Sequence, residues 1–296
     1  MSAAHAPSPG LEQWREAARI AAAARELGVH LAVPGARRKE IAEAIEGYVR
    51  DRGAEPAFPA NLSRNDEAAH YTPDDADGAR LEAGDLLKVD VGAHIDGAVA
   101  DTADTVEVGG GRRHAHLVAA VHEALAAGVH AVRPGGAVDE VSRAIAQAIR
   151  ARGLKPVRDL TGHTIERYVL HAGKSVPNVP GLSGEHFVEG EVVAIEPFAT
   201  NGEGAITNGA FGHIVRFRRP PPPGDVELSR LFARFRTLPF TARWVRAPEE
   251  MAALDRGRRL LQSYPVFLER GRGLVAQAEH TVLVGHAAAE VLTSAA

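Results

Sequence analysis

Five side chains of this 296-residue sequence have the types needed to hold metal ions and activate water: Asp90, Asp101, His163, Glu196 and Glu279. Asp90 lies within Leu86-Leu87-Lys88-Val89-Asp90-Val91, and Asp101 follows on the next strand-like run. Glu196 ends Val192-Val193-Ala194-Ile195, and Glu279 sits inside the run Leu274–Val284. A carboxylate buried without a partner costs several kcal/mol, so such groups are paired, neutralised or bound to a cation. Neither glutamate run contains a Lys or Arg, although a distant arginine brought in by the fold is the plainer alternative. His163 follows Gly162, which lets backbone approach closely, and adds an imidazole. Four carboxylates and a bridging hydroxide nearly neutralise two divalent ions. A mostly oxygen set with one nitrogen suits Mn, Co, Fe or Zn. Two ions ~3.5–4 Å apart can share a water, lower its pKa and polarise a carbonyl.

The elements that must position these groups follow from patterning. Apolar residues at helical spacing predict helices over Leu11–Leu27, Arg38–Arg52, His116–Val132 and Val138–Arg152, with Pro34-Gly35 breaking the first pair. Strands are expected over Leu86–Val91, Ala98–Val108, Glu191–Phe198, Ala205–Phe217 and Leu274–Val284. Asp96-Gly97 is a hairpin signal, because a tight primed turn needs positive φ. A two-residue loop sets position 101 opposite 92, and a four-residue loop over His94–Gly97 sets it opposite 90. Either register leaves Asp90 and Asp101 on one face. The four prolines of Pro220–Pro223 predict a stiff extended connector, and Leu228–Leu268 beyond it reads as largely helical. The chain is thus expected to be α+β: two helix-plus-hairpin halves over residues 11–296, one domain, with a helical insert at about 220–272. Residues 1–10, rich in Ala, Ser, Pro and Gly, are expected to be a disordered tail.

Composition excludes several classes. There is no cysteine, hence no disulfide, thiolate zinc site or cysteine nucleophile. A net charge of −4 argues against a nucleic-acid surface or an electrostatic membrane anchor. No secretory pattern or 18-residue apolar run is visible, so a cytoplasmic protein with no membrane association is expected.

Read together, these residues resemble the pita-bread metallopeptidases, and within them the type II methionine aminopeptidases of compact, archaeal type. Asp90, Asp101, His163, Glu196 and Glu279 match that family's five metal ligands in order and local wording. Phe58–Ser63, Ala69–Pro73, Asp90–Gly97, His171–Pro177 and Ile195–Phe198 extend the match over roughly residues 10–285. The 83 positions between Glu196 and Glu279 leave room for the helical subdomain of the type II branch. The resemblance implies a curved, mostly antiparallel sheet in pseudo-twofold halves, two divalent ions, and removal of N-terminal methionine ahead of a small residue. It implies that Asp101 and Glu279 bridge both ions, that Glu196 also shuttles a proton, and that His70 and His171 contact the scissile peptide. Phe58 and Leu170 match walls of the methionine pocket. Nascent polypeptides would be the substrate, at or near the ribosome, for a monomeric enzyme.

Departures bear on the pocket. Gln277-Ala278-Glu279-His280 carries Ala278 where the family usually has an aromatic ring, Arg258–Tyr264 is shortened, and His213 is the candidate counterpart of a pocket histidine. The rival functions are an X-Pro aminopeptidase or prolidase of the same fold, and a non-catalytic pita-bread binding protein. Other signals are weak. Gly173-Lys174-Ser175 lacks the leading glycine of a phosphate loop, His122-Glu123 lacks a second zincin histidine, and His94 falls in the expected turn.

Overall fold

The computed structural model describes residues 10–294. Apart from Gly10, the tail expected over residues 1–10 lies outside the described residues.

The α+β expectation is met. Helices α1 (Leu11–Leu31), α2 (Arg38–Asp51), α3 (Ala115–Ala131) and α4 (Val138–Ala151) pack on antiparallel strands. The two halves repeat at an offset of one hundred positions: Arg38–Asp51 answers Val138–Ala151, and the short strand Glu55–Pro56 answers Lys155–Pro156. Each first helix crosses its partner at a glycine. A Cβ on Gly28 would stand 2.6 Å from Ile45 and Val89, and one on Gly128 would stand 3.0 Å from Ile145. Alanine at either site would push the helix pair off the sheet, because cores are packed too densely to yield.

In the first half, the Leu86–Ile95 strand is paired along its length with Ala98–Glu107, from Leu86↔Glu107 to Ile95↔Ala98. The loop is therefore the two residues Asp96 (φ 48°) and Gly97 (φ 82°), a primed turn whose twist matches the strands. In the second half, strands run in the order Ala289–Val291, His280–Val284, Val192–Ile195, Thr161–Ile165, Ser175–Pro177. An Ala103↔Glu279 bridge joins the halves. Each half has its own core, one around Ile20, Ile45 and Val89, the other around Leu117, Ile145 and Ile195. Every such buried aliphatic contributes roughly 1.5–3 kcal/mol.

Three expectations are corrected. The runs Glu191–Phe198 and Leu274–Val284 are each two strands, broken at Glu196-Pro197 and at Ala278-Glu279. Pro197 has no N–H to donate to a ladder. The segment Leu228–Leu268 is helical only in α5 (Val226–Phe235) and α6 (Pro248–Arg256), apart from two single 3₁₀ turns, whereas Leu261–Glu269 is a strand paired with Ile206–Phe217. Its aromatic and β-branched residues Tyr264, Val266 and Phe267 suit that pleated position. The helical part buries a small core of its own, including Phe217, Leu228, Leu231 and Phe240. No helix among the described residues is long and apolar enough to cross a membrane.

Candidate metal centre

The hairpin register sets Gly92 opposite Asp101 and Asp90 opposite Ala103, so the two aspartates are diagonal neighbours on one face. Glu279 is brought beside them by the bridge between halves, where its N–H donates to the Ala103 carbonyl at 2.9 Å. Glu196 occupies the break between the Val192–Ile195 and Phe198–Thr200 strands. Asn178 secures that break: its side chain donates to the Leu160 carbonyl (2.8 Å) and the Glu196 carbonyl (3.3 Å) and accepts from the Phe198 N–H (2.9 Å). His163 comes from the adjacent strand, paired with Ala194. The structure thus brings all five sequence-predicted ligands to one cavity. Ligand atoms of Asp101, His163 and Glu279 lie within 4.8 Å of one another. His163 Nε2 stands 3.4 Å from Glu196 Oε1 and 3.7 Å from Asp101 Oδ2.

The electrostatics of this cluster are unfavourable as they stand. Burial, more than any other cause, raises the carboxyl pKa values of all four acids: Asp90 to about 7, and Asp101, Glu196 and Glu279 well above the usual range. Repulsion among the acids adds to the last three, Asp90 raising Asp101, and Asp101 raising both glutamates. Among the described residues no Lys or Arg lies within 4 Å of any of them. Asp90 Oδ1, Asp101 Oδ1 and Glu279 Oε1 are buried without a hydrogen-bond partner. A distant arginine is therefore not the answer to the buried charge. Orphaned oxygens converging with one imidazole fit divalent cations.

Two side chains that sequence reasoning missed support the cluster. Gln277, fully buried, donates through Nε2 to Glu279 Oε2 at 3.2 Å and lies 3.5 Å from Glu196 Oε2. Asn61 is paired directly across from Asp90, and the nearby amides of Asn61 and Gln277 partly offset the upward shift of its carboxyl. The signal for Gln277 was an amide in an apolar run two positions from an acid; Asn61 had no such mark, its acid lying across the strand pair.

The cluster floors a cavity of about 180 Å³. His70 and His171 line it, as do Phe58 and Leu170. His70 is held at φ 66°, a costly conformation for a non-glycine residue and one found at sites under functional constraint. Its ring packs on Phe267 (4.5 Å between centroids) and edge-on to Tyr264 (5.3 Å). His171 lies 4.3 Å from His163, ring to ring. Burial lowers the pKa of His70 and of His171 to about 4; repulsion from His171 adds for His70 and repulsion from Arg216 for His171. Both imidazoles are neutral near pH 7 and can each donate one N–H. Tyr264, Phe267 and Ile214 complete the wall. Tyr264 and Phe267 escaped the sequence reading because their strand was taken for helix. His213 lies off the lining, with Nε2 3.8 Å from Asp74 Oδ2. His94 accepts the Gly97 N–H at 3.2 Å, a turn-fixing role.

The model of metallopeptidase family M24 matches residues 12–286. A methionine aminopeptidase of Pyrococcus abyssi is 44% identical over 280 residues, 91% of this chain and 94% of that protein. Among solved structures, the methionine aminopeptidase of Thermotoga maritima superposes with a TM-score of 0.73 at 22% identity, covering 99% of this chain and all of the other. A thermophilic Arx1 superposes with a TM-score of 0.82 at 18% identity, covering 96% and 90%. The fold is that of the pita-bread metallopeptidases, and the chain belongs to metallopeptidase family M24.

Proposed function

We propose that the protein is a methionine aminopeptidase, removing N-terminal methionine from polypeptides whose second residue is small. The observation that carries this reading is the set of four carboxylates, Asp101 and Glu279 buried and Asp90 and Glu196 half-buried, with His163 and without a protein cation, at the floor of a partly apolar cavity. The relatives' names supply the substrate.

Asp90, Asp101, His163, Glu196 and Glu279 would hold two divalent ions of Co, Mn, Fe or Zn. When bound, these supply Lewis-acid polarisation of the scissile carbonyl and a water of lowered pKa. Glu196 is the base that takes the water's proton and returns it to the leaving amine. His70 and His171, neutral at working pH, donate N–H groups to the scissile peptide and to the oxyanion that forms from it. Phe58 and Leu170 receive the methionine side chain. Gln277 and Asn61 keep the carboxylates in register. We further infer one catalytic domain over residues 11–296, its insert carried between Glu196 and Glu279, acting as a cytoplasmic monomer on nascent chains.

The test is hydrolysis of Met-Ala-Ser, Met-Lys-Ser and Ala-Pro-Ser by metal-stripped protein, with and without Co or Mn. Metal-dependent release of methionine from Met-Ala-Ser alone is expected. Cleavage confined to Ala-Pro-Ser would make the protein an X-Pro peptidase. No cleavage by metal-loaded protein would remove the catalytic reading.

A further inference from the structure

A second cavity of about 390 Å³ shares no lining residue with the catalytic cavity. Its apolar walls are Leu125 and Val129 from α3, with Ala103, Ala126, Ala278 and Val291. Three of these are alanines, and Ala278, expected from the sequence to bear on the substrate pocket, lines this second cavity instead. The cavity opens to solvent beside the exposed Ala126 and His122.

Its polar end is Arg25, His122, His280 and Asp104. Asp104 Oδ1 is 2.7 Å from His122 Nε2, and this hydrogen bond raises the His122 pKa, so each already has a partner. His280 Nδ1 meets Thr293 Oγ1 at 3.0 Å. Arg25 is different. It is 7% exposed, and Nη1 donates to Thr102 Oγ1 at 2.5 Å. Among the described residues no carboxylate lies within 4 Å of its guanidinium. A buried guanidinium with one hydroxyl partner is a charge awaiting an anion, since buried charges are paired.

We propose that this cavity is a ligand site for a small apolar monocarboxylate, its body lying against Leu125, Val129 and Ala278 and its carboxylate meeting Arg25. The buried guanidinium, bonded to one hydroxyl, can take a carboxylate through its remaining N–H groups, and the walls suit an apolar body. Thr102 Oγ1 in turn donates to the Glu279 carbonyl at 2.9 Å, so the anion would sit three hydrogen bonds from that carbonyl.

The test is binding of benzoate to the metal-loaded, full-length protein, followed by ligand-detected NMR and calorimetry. A Kd of order 1 mM is expected for so small a ligand. Arg25→Met removes the charge, and Ala278→Phe and Ala126→Phe each fill the cavity. All three should weaken binding about tenfold or more, and neutral benzamide should bind at least about tenfold more weakly than benzoate. Free methionine should not displace benzoate. Displacement by methionine would put benzoate in the catalytic cavity, and equal binding by benzamide would remove the role of Arg25. Unchanged binding in Ala126→Phe, a substitution at an exposed helix position that leaves the fold intact, or no saturable binding at all, would overturn the site.

Discussion

Glu46 and Glu279 are buried to the same degree, 2% and 1% exposed, yet they live in opposite surroundings. Glu46, on α2, accepts from Arg243 through both Nη atoms (3.1 and 2.8 Å), from Trp244 Nε1 (2.7 Å) and from the Ala60 N–H (3.3 Å). Its charge is matched and its oxygens are satisfied. It fastens the insert, through Arg243 and Trp244, to the catalytic body. Glu279 accepts only from Gln277, keeps one orphaned oxygen and faces three other acids. Burial of a carboxylate is therefore not by itself a sign of function. Burial without complement is, because the missing charge has to come from something that is not protein.

The largest break in this comparison comes from Asp101→Asn. It removes one charge from the set that complements the ions, at almost unchanged volume. Turnover of Met-Ala-Ser should fall by about a thousandfold, the loss of several kcal/mol of transition-state stabilisation. Bound metal, measured by elemental analysis after dialysis, should fall with it, while the melting temperature of the metal-free protein should not drop. Retained metal and turnover would remove Asp101 from the ligand set.

Glu46→Ala breaks the other member of the pair. It strands the buried guanidinium of Arg243, and should cost about 3–5 kcal/mol in chemical denaturation. Metal content in the folded fraction should be unchanged, because Glu46 touches none of the acids that face the cavity. Loss of metal from folded Glu46→Ala would mean the insert's anchorage and the metal centre are one unit.

Gln277→Leu probes the one amide that Glu279 does have. Supporting hydrogen bonds of this kind are worth about 10–100-fold in metal affinity. Titration with Co or Mn should show that weakening with the fold intact, and an unchanged affinity would demote Gln277 to packing.

Much of this contrast could be seen in the sequence, and the reason is local. Asp90, Asp101, Glu196 and Glu279 announce themselves as acids in apolar runs, and the Asp96-Gly97 turn fixes the aspartates on one face whichever register is chosen. The four long helices of the halves were found because their periodicity is strong, with ends off by a few residues. The Glu46–Arg243 pair was invisible, since 197 positions separate its members and only the packing of the insert joins them. The strand at Leu261–Glu269 was lost for the same cause: its pairing partner is Ile206–Phe217, beyond two helices. With it went Tyr264 and Phe267, two walls of the cavity that no local pattern marks as neighbours of His70.

The smallest effect gives the sharpest contrast, because it has opposite signs in the two regions. In the metal-free protein Glu279→Gln should stabilise, since it removes a carboxylate that burial and the neighbouring acids push toward its protonated form. A carboxyl whose pKa is raised on folding contributes stability below its unfolded pKa and loses it as pH rises through the folded value. The advantage of Glu279→Gln over wild type should therefore grow from pH 6.5 to pH 8.5, to a few degrees in melting temperature. Lys88, lowered to about 7 by burial, and the buried histidines, lowered to about 4, also titrate with folding. They are present in both proteins and largely cancel in the difference. Glu46→Gln should destabilise across the same range, because Arg243 supplies the complement that Glu279 lacks. Adding Co or Mn should reverse the order for Glu279→Gln, leaving wild type the more stable. If the metal-free Glu279→Gln protein melts below wild type at pH 8.5, the four acids do not repel as their geometry requires, and some protein cation not seen at the site is holding them together.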